Sequence, residues 1–314
     1  MLARTASNLF WLARYMERAD YLARLLQVAG RMSAVRVDDD GKSEWESAIV
    51  AAGCHESFYQ KHEVANAETV VSYLAFDREN PSSICNCIDT SRRNARAVRT
   101  ALTSDMWVAV NSSWLELREF ESSPDMSEDR LTEFLDWVKS RTSLVHGVYA
   151  NTMLRRDGFH FTRIGQFLER ADNTARLLDV KYHVRLPSAQ DVGGVVDYYQ
   201  WLAILRVVGA RRAYRVLFKG QVEPALVAEL LILRPEFPRS LVFCFEQISL
   251  NLDAIVAHDP RLSSESKRIA HSQYAALRFG RIEQIIEHGL HEYLSELIEG
   301  CERLGVEIAK GHLF

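Results

Sequence analysis

The amino-acid sequence predicts an all-α protein: a single multi-helix bundle of about ten helices, built as an internal tandem duplication with pseudo-two-fold symmetry. Three observations carry that expectation. Apolar residues recur at steps of three and four along most of the 314 residues, while the breakers Gly and Pro number only 15 and 7. One stretch occurs twice, Glu17-Arg18-Ala19-Asp20-Tyr21-Leu22-Ala23-Arg24-Leu25-Leu26 and Glu169-Arg170-Ala171-Asp172-Asn173-Thr174-Ala175-Arg176-Leu177-Leu178, identical at eight of ten positions. Further matched residues follow both copies in the same order, with offsets that drift as small loop insertions would make them drift.

The first helix is expected to run from a cap at Thr5 or Ser7 to a left-handed stop at Gly30. Its apolar face, Leu9, Leu12, Met16, Ala19, Ala23 and Leu26, returns as Phe161, Ile164, Leu168, Ala171, Ala175 and Leu178 at a constant offset of 152. Ala at the middle positions admits a close neighbour. Beside that face, Glu17, Asp20 and Arg24, then Glu169, Asp172 and Arg176, form a stripe of alternating charge.

A polar linker through Asp38-Asp39-Asp40-Gly41 follows. Ser43-Glu44-Trp45-Glu46 has the form of a capping box and opens a helix through Trp45, Ile49 and Gly53, then a segment through Phe58, Val64 and Val71. Asn80-Pro81 starts the next helix, with Pro in its first turn, through Ile84, Ile88, Ala95 and Val98. Trp107, Val110 and Trp114 mark another. After a breaker at Pro124, the pattern of Leu131, Phe134, Leu135, Val138 and Val145 continues to Gly158, where the second charged helix begins.

The repeat extends into these later helices. Trp201 and Gly209 answer Trp45 and Gly53 at an offset of 156. Pro238, Ser240, Cys244, Asn251 and Ala254 answer Pro81, Ser83, Cys87, Asn94 and Ala97 at 157. The last helices, around Tyr274–His288 and Glu292–Lys310, pair by hydrophobic pattern with Trp107–Phe120 and Leu131–Ala150. No Pro/Gly/Ser-rich linker separates the halves, about 1–152 and 153–314, so residues 1–314 read as one domain.

A net charge of −4 leaves no electrostatic footprint for nucleic acid. Five cysteines, an odd number without a Cys-x-x-Cys pair, argue against a disulfide framework or a zinc site. The opening residues contain no unbroken apolar run of a secretory signal, and no run of about 18 apolar residues would span a membrane. The chain reads as soluble and cytoplasmic, with no metal and no cofactor.

The opening Met1-Leu2-Ala3-Arg4-Thr5-Ala6-Ser7-Asn8-Leu9-Phe10-Trp11-Leu12-Ala13-Arg14-Tyr15 with Glu17-Arg18-Ala19 resembles the bacterial alpha-E domain family. So do Asn80-Pro81-Ser82-Ser83-Ile84, Asn94-Ala95-Arg96-Ala97-Val98-Arg99 with Trp107, and Phe167-Leu168-Glu169-Arg170-Ala171-Asp172. The resemblance covers essentially the whole chain. It departs in Phe10, where Tyr is commoner, and in Thr162-Arg163, where the pair is more apolar. It implies an all-helical fold and a place beside, or fused to, circularly permuted ATP-grasp and transglutaminase-like proteins. It further implies a helical accessory or substrate-presenting subunit, working with an ATP-grasp ligase on a peptide or small metabolite. The resemblance brings no established catalytic residue.

The residues themselves leave three readings open. Arg14, Glu17, Arg18, Asp20, Arg24, Glu169, Arg170, Asp172 and Arg176 are the candidate ligand-binding residues. If the two copies converge, they make a polar pocket for a carboxylate or amine substrate. They could equally support an amide-forming or group-transfer enzyme, or simply knit helices in a structural scaffold, because buried charges persist only when paired. Arg92, Arg96 and Arg99, with Arg93 beside them, form a basic helix face that is either solvated or a docking surface for an acidic partner. Arg211, Arg212 and Arg215 form a second cluster. His55-Glu56, His62-Glu63 and the pair His288 and His291 lack metal-ligand spacing. Gly41-Lys42-Ser43 imitates the end of a phosphate loop, but Arg36 stands where its first Gly belongs. Cys85 and Cys87 follow a helix start that could lower a thiol pKa, yet Cys87 recurs as Cys244 in an apolar run, which favours packing.

Overall fold

A computed structural model of the chain describes residues 2–34, 42–122, 127–183, 194–258 and 264–312. Among these residues the protein is all-α, with fifteen α-helices and no strand. The first half runs α1 (Ala3–Ser33), α2 (Lys42–Ala51), α3 (His55–Tyr59), α4 (Ala67–Val71), α5 (Ile84–Ala97), α6 (Ser104–Ser122) and α7 (Glu128–Thr152). The second runs α8 (Asp157–His183), α9 (Val195–Val207), α10 (Arg211–Phe218), α11 (Pro224–Leu233), α12 (Leu241–His258), α13 (Ser264–Arg278), α14 (Ile282–His288) and α15 (Leu290–Gly311). A π-helical turn, Ser72–Phe76, extends α4, and a 3-10 turn, Arg99–Ala101, follows α5.

The two charged helices, α1 and α8, form the centre. Leu9, Leu12, Ala19, Ala23, Ile164, Leu168, Ala171 and Ala175 are all fully buried. The helices touch backbone to backbone at Gly165, where an added Cβ would lie 2.3 Å from the Phe10 carbonyl oxygen. The backbones meet at a glycine, nearly two turns from Ala171, the nearest of the alanines that predicted the close seam. On α1 pack α5 and α7, joined by α6; on α8 pack α12 and α15, joined by α13. Each half's second helix also reaches across, α2 onto α8 and α9 onto α1.

Local details repeat as well. Gly53 and Gly209 both sit in the left-handed region, at φ 68° and 72°. The amide after each bonds back five residues, Cys54 N to Ile49 O at 3.3 Å and Ala210 N to Leu205 O at 2.8 Å. These turns stop α2 and α9 by satisfying terminal carbonyls. Ser83 caps α5 and Ser240 caps α12, each hydroxyl accepting the amide three residues on, at 3.3 and 3.2 Å.

Several expected boundaries move. The first helix starts at Ala3, with Leu2 at its cap, and passes through Gly30 to Ser33. Gly30 does not stop it but faces the Trp45 ring, 3.8 Å from where a Cβ would stand. Lys42 and Ser43 already lie inside α2, so Ser43 is not its cap. Pro81 belongs to a turn, and α5 begins three residues later because Ser83 supplies the cap. The expected helix through Tyr274–His288 breaks after Arg278, and the pattern up to Gly158 breaks after Thr152. The linker Asp38-Asp39-Asp40-Gly41 and the breaker Pro124 lie outside the described residues.

Candidate functional site

Where α1 meets α8, the Glu-Arg pairs cross. Arg170 of α8 grips Glu17 of α1 with both ends of its fork, Nε to Oε1 and Nη2 to Oε2, each at 2.8 Å. Reciprocally, Arg18 of α1 donates to Glu169 of α8, Nε to Oε1 at 2.6 Å. Arg14 adds a bond to Glu169 Oε2 at 2.6 Å. Helical spacing explains why one charged stripe can do this. Successive residues Glu and Arg diverge around the axis, so the acid of each helix meets the base of the other.

The stripe continues within each helix. Arg24 donates to Asp20 at 2.7 Å and to the Val207 carbonyl of α9, and Arg176 donates to Asp172 at 2.9 Å. Arg239, just before α12, joins the two carboxylates of α1, at 3.3 Å from Glu17 Oε1 and 2.8 Å from Asp20 Oδ2. Six guanidinium groups thus surround four carboxylates, of which Glu17, Asp20 and Glu169 are 1, 2 and 1% exposed.

Burial alone would raise these carboxyl pKa values, but the surrounding arginines overturn it. Glu17 is lowered by Arg170 and Arg239, and Asp20 by Arg239 and Arg24. Glu169 falls to about 2 against Arg18 and Arg14. Asp172 is the exception: burial outweighs Arg176 and raises it, and its Oδ1 has no hydrogen-bond partner. His146 of α7 stands 3.6 Å from Glu17, which favours the imidazolium. Desolvation, with Arg170 and Arg239 nearby, nevertheless lowers its pKa to about 4, so it is neutral at pH 7. Burial also lowers Arg239, with Arg170 and Arg24 adding to the effect.

Beside the crossing, α1, α7, α8 and the approach to α12 line a cavity of about 400 Å³ that opens broadly to solvent. Of the nine residues expected to bind a ligand, only Asp20 and Arg170 line it. The other seven belong to the clasp around it or to the Asp172–Arg176 pair farther along α8. Of its remaining polar lining, chiefly Arg163, Arg239, His146, Tyr149 and Gln166, only Arg163 was singled out from the sequence, as a departure from the family pattern. The repeat held a signal for three of them: Trp11 and Arg14 stand where Arg163 and Gln166 are expected to be matched. Arg239 follows Pro238, and Ser82 follows the matching Pro81, so the repeat breaks at this position. No sequence pattern marks His146.

The remaining candidates lie elsewhere. Arg92 is on α5, stacked on Trp114 at 3.8 Å with Nε donating to Asn111 at 2.9 Å. Arg99 falls beyond α5, over the Trp107 ring at 5.2 Å, while Arg96 is exposed. The three therefore do not form one free helix face, because α5 ends at Ala97 and two separate tryptophan rings hold Arg92 and Arg99. Arg211, Arg212 and Arg215 are exposed on α10. Burial pushes the thiols of Cys87 and Cys244 up to about 12, opposite to activation at a helix start. Among the described residues, no group of three His, Cys, Asp or Glu could hold a metal ion. No helix among them is long and apolar enough to cross a membrane.

Fold and site together define a class: an all-helical protein whose two central helices exchange Glu-Arg pairs. The chain belongs to the Alpha-E family, described as a predicted alpha-helical domain with a conserved ER motif, which it matches over residues 1–313. Glu17-Arg18 and Glu169-Arg170 are the pairs of that kind in the clasp. The chain is similar to uncharacterized proteins of Mycobacterium bovis and Mycobacterium tuberculosis, 26% identical over an alignment of 318 positions that covers 95% of it. It spans about a third, 35%, of the length of these relatives. No solved structure matches it.

Proposed function

We propose that the chain is a helical accessory subunit of the cytoplasm that presents a peptide or small metabolite to an ATP-grasp peptide or amide ligase. The observation that carries this reading is the saturation of the clasp. Glu17, Asp20 and Glu169 are buried, ionised and each held by at least two guanidinium groups. A general base needs a pKa near the working pH and a free lone pair toward its substrate. Their pKa values are lowered instead, and arginine donors occupy most of their lone pairs, which speaks against an amide-forming or group-transfer site centred on them. The greater length of the mycobacterial relatives also suits a module that works joined to others.

Affinity purification of the tagged chain from its host tests the proposal. Stoichiometric recovery of an ATP-grasp protein is the expected result. Saturable ATP hydrolysis by the pure chain alone would overturn it. The completeness of the clasp also favours a second reading, a structural scaffold. In that case clasp substitutions lower the melting temperature, and no ligase co-purifies at any salt concentration.

A further inference from the structure

We propose that the cavity between α1, α7, α8 and the start of α12 binds the oxyanion of a small ligand, a carboxylate or phosphate group, through Arg163, Arg170 and Arg239. The cavity's charge is the first argument. Arg170 and Arg239 already share Glu17, and Asp20 is shared between Arg239 and Arg24. Among the described residues, no carboxylate pairs with Arg163, whose Nη2 donates to the neutral amide oxygen of Gln247, at 2.5 Å. The lining is therefore short of negative charge, and an incoming oxyanion supplies what the protein does not.

Preorganisation is the second argument. The guanidinium groups of Arg163 and Arg170 lie 4.5 and 5.1 Å from the Phe167 ring centroid, one aromatic wall fixing two forks. Arg170 is held further by its bidentate bond to Glu17. Fixed forks lose little entropy when they bind an oxyanion. Neutral groups complete the lining: the phenol of Tyr149, raised to about 12 by burial, and the imidazole of His146, whose buried Nε2 has no hydrogen-bond partner. A volume of about 400 Å³ lies at the small end of ligand pockets, which run from about 300 to 1,000 Å³.

The pseudo-symmetric position makes the third argument, because it lacks the same set. At the offsets of the repeat, Trp11 replaces Arg163, Arg14 replaces Gln166, and Ser82 replaces Arg239. There Arg14 is spent on Glu169, and Arg18 reaches the Ser82 hydroxyl at 3.3 Å. The duplicated framework thus serves as clasp on both sides and offers three arginines to a cavity on one. This inference rests on the presenting role only for what becomes of the ligand afterwards.

Isothermal titration calorimetry of the full chain, with succinate and inorganic phosphate as probes, tests it. Saturable one-to-one binding of either probe, weakened by salt, is expected. Saturation by succinate alone identifies a carboxylate ligand, and saturation by phosphate alone a phosphate one. Arg163→Gln, which leaves the clasp intact, should lower the affinity at least about tenfold, the value of one charge-assisted hydrogen bond. Ser143→Trp, at an exposed position on the rim, should abolish binding by filling the mouth. Arg215→Gln on α10 should change nothing. Failure of both probes to saturate would overturn the proposal, as would binding that survives both Arg163→Gln and Ser143→Trp. Neither result touches the ligase purification, so the two readings fail separately.

Discussion

Replacing Glu17 by Gln keeps the side-chain shape and removes one buried charge. Arg170 loses its bidentate partner, and Arg239 keeps only Asp20. Breaking a buried pair by deleting one member costs about 3–5 kcal/mol, because the survivor stays buried and uncompensated. Solvent still reaches 12% of the Arg170 side chain and 19% of that of Arg239, so the lower end applies, about 3 kcal/mol. Unfolding entropy near 2.1 cal/mol/K per residue then converts this, for 314 residues, into a melting decrease of roughly 4–5 °C. Calorimetric melting, with urea denaturation followed by circular dichroism, reads both quantities. The double variant Glu17→Gln/Arg170→Gln should recover at least about 1 kcal/mol relative to additivity. A single variant that melts within about 1 °C of the parent protein, or a strictly additive pair, would refute the clasp as a stabilising element.

Three further outcomes are expected. Gly165→Ala places a methyl against the Phe10 carbonyl and should destabilise by at least about 1–3 kcal/mol in urea, with α1 and α8 forced apart. Gly53→Ala and Gly209→Ala should each cost about 1 kcal/mol from left-handed strain; Gly53→Ala should cost more, since its Cβ would lie 3.3 Å from Arg176 Nη1. Acid should destabilise the protein in two stages. His146 is depressed from 6.5 to about 4, so the unfolded chain takes up its proton first, and stability falls as pH drops from 6.5 to about 4. Glu169, depressed from 4.5 to about 2, contributes stability above 4.5 that is lost as pH falls toward 2. Replacing His146 with Gln should remove the first stage, and an NMR titration of its ring should find a midpoint near pH 4.

The helices and their pairing were legible because they rest on local periodicity. The steps of Leu9 to Leu26, and of Phe161 to Leu178, place one apolar face on each central helix, and those residues are buried. The acid-before-base spacing of Asp20 and Arg24 likewise produced the bond observed. Boundaries were less legible, since a cap depends on backbone torsion. Thr5 and Ser7 look like caps but lie inside α1, while Leu2, with no side-chain cap bond, starts it. The cavity was hardest to see. Its lining comes from α1, α7, α8 and the approach to α12, and no spacing rule relates His146 to Arg163 or Arg239. Only mismatches in the repeat, Ser82 with Arg239, Trp11 with Arg163 and Arg14 with Gln166, pointed there, and a mismatch carries no sign of what it faces.

The crossed pairs impose an order on synthesis. When residues 1–152 have left the ribosome, α1 carries Glu17 and Asp20 without Arg170 and Arg239, and Arg14 and Arg18 without Glu169. Such charges stay hydrated, because desolvating them unpaired is costly. The amino-terminal helices are therefore expected to pack loosely, with α1 open to water, until α8 and then Arg239 are made. Neutralisation of four arginines by three carboxylates is then complete only after the segment leading into α12 is made, so both halves are expected to finish folding together. A truncated chain ending near Thr152 would expose a charged, half-apolar helix, a surface that chaperones bind and proteases cut.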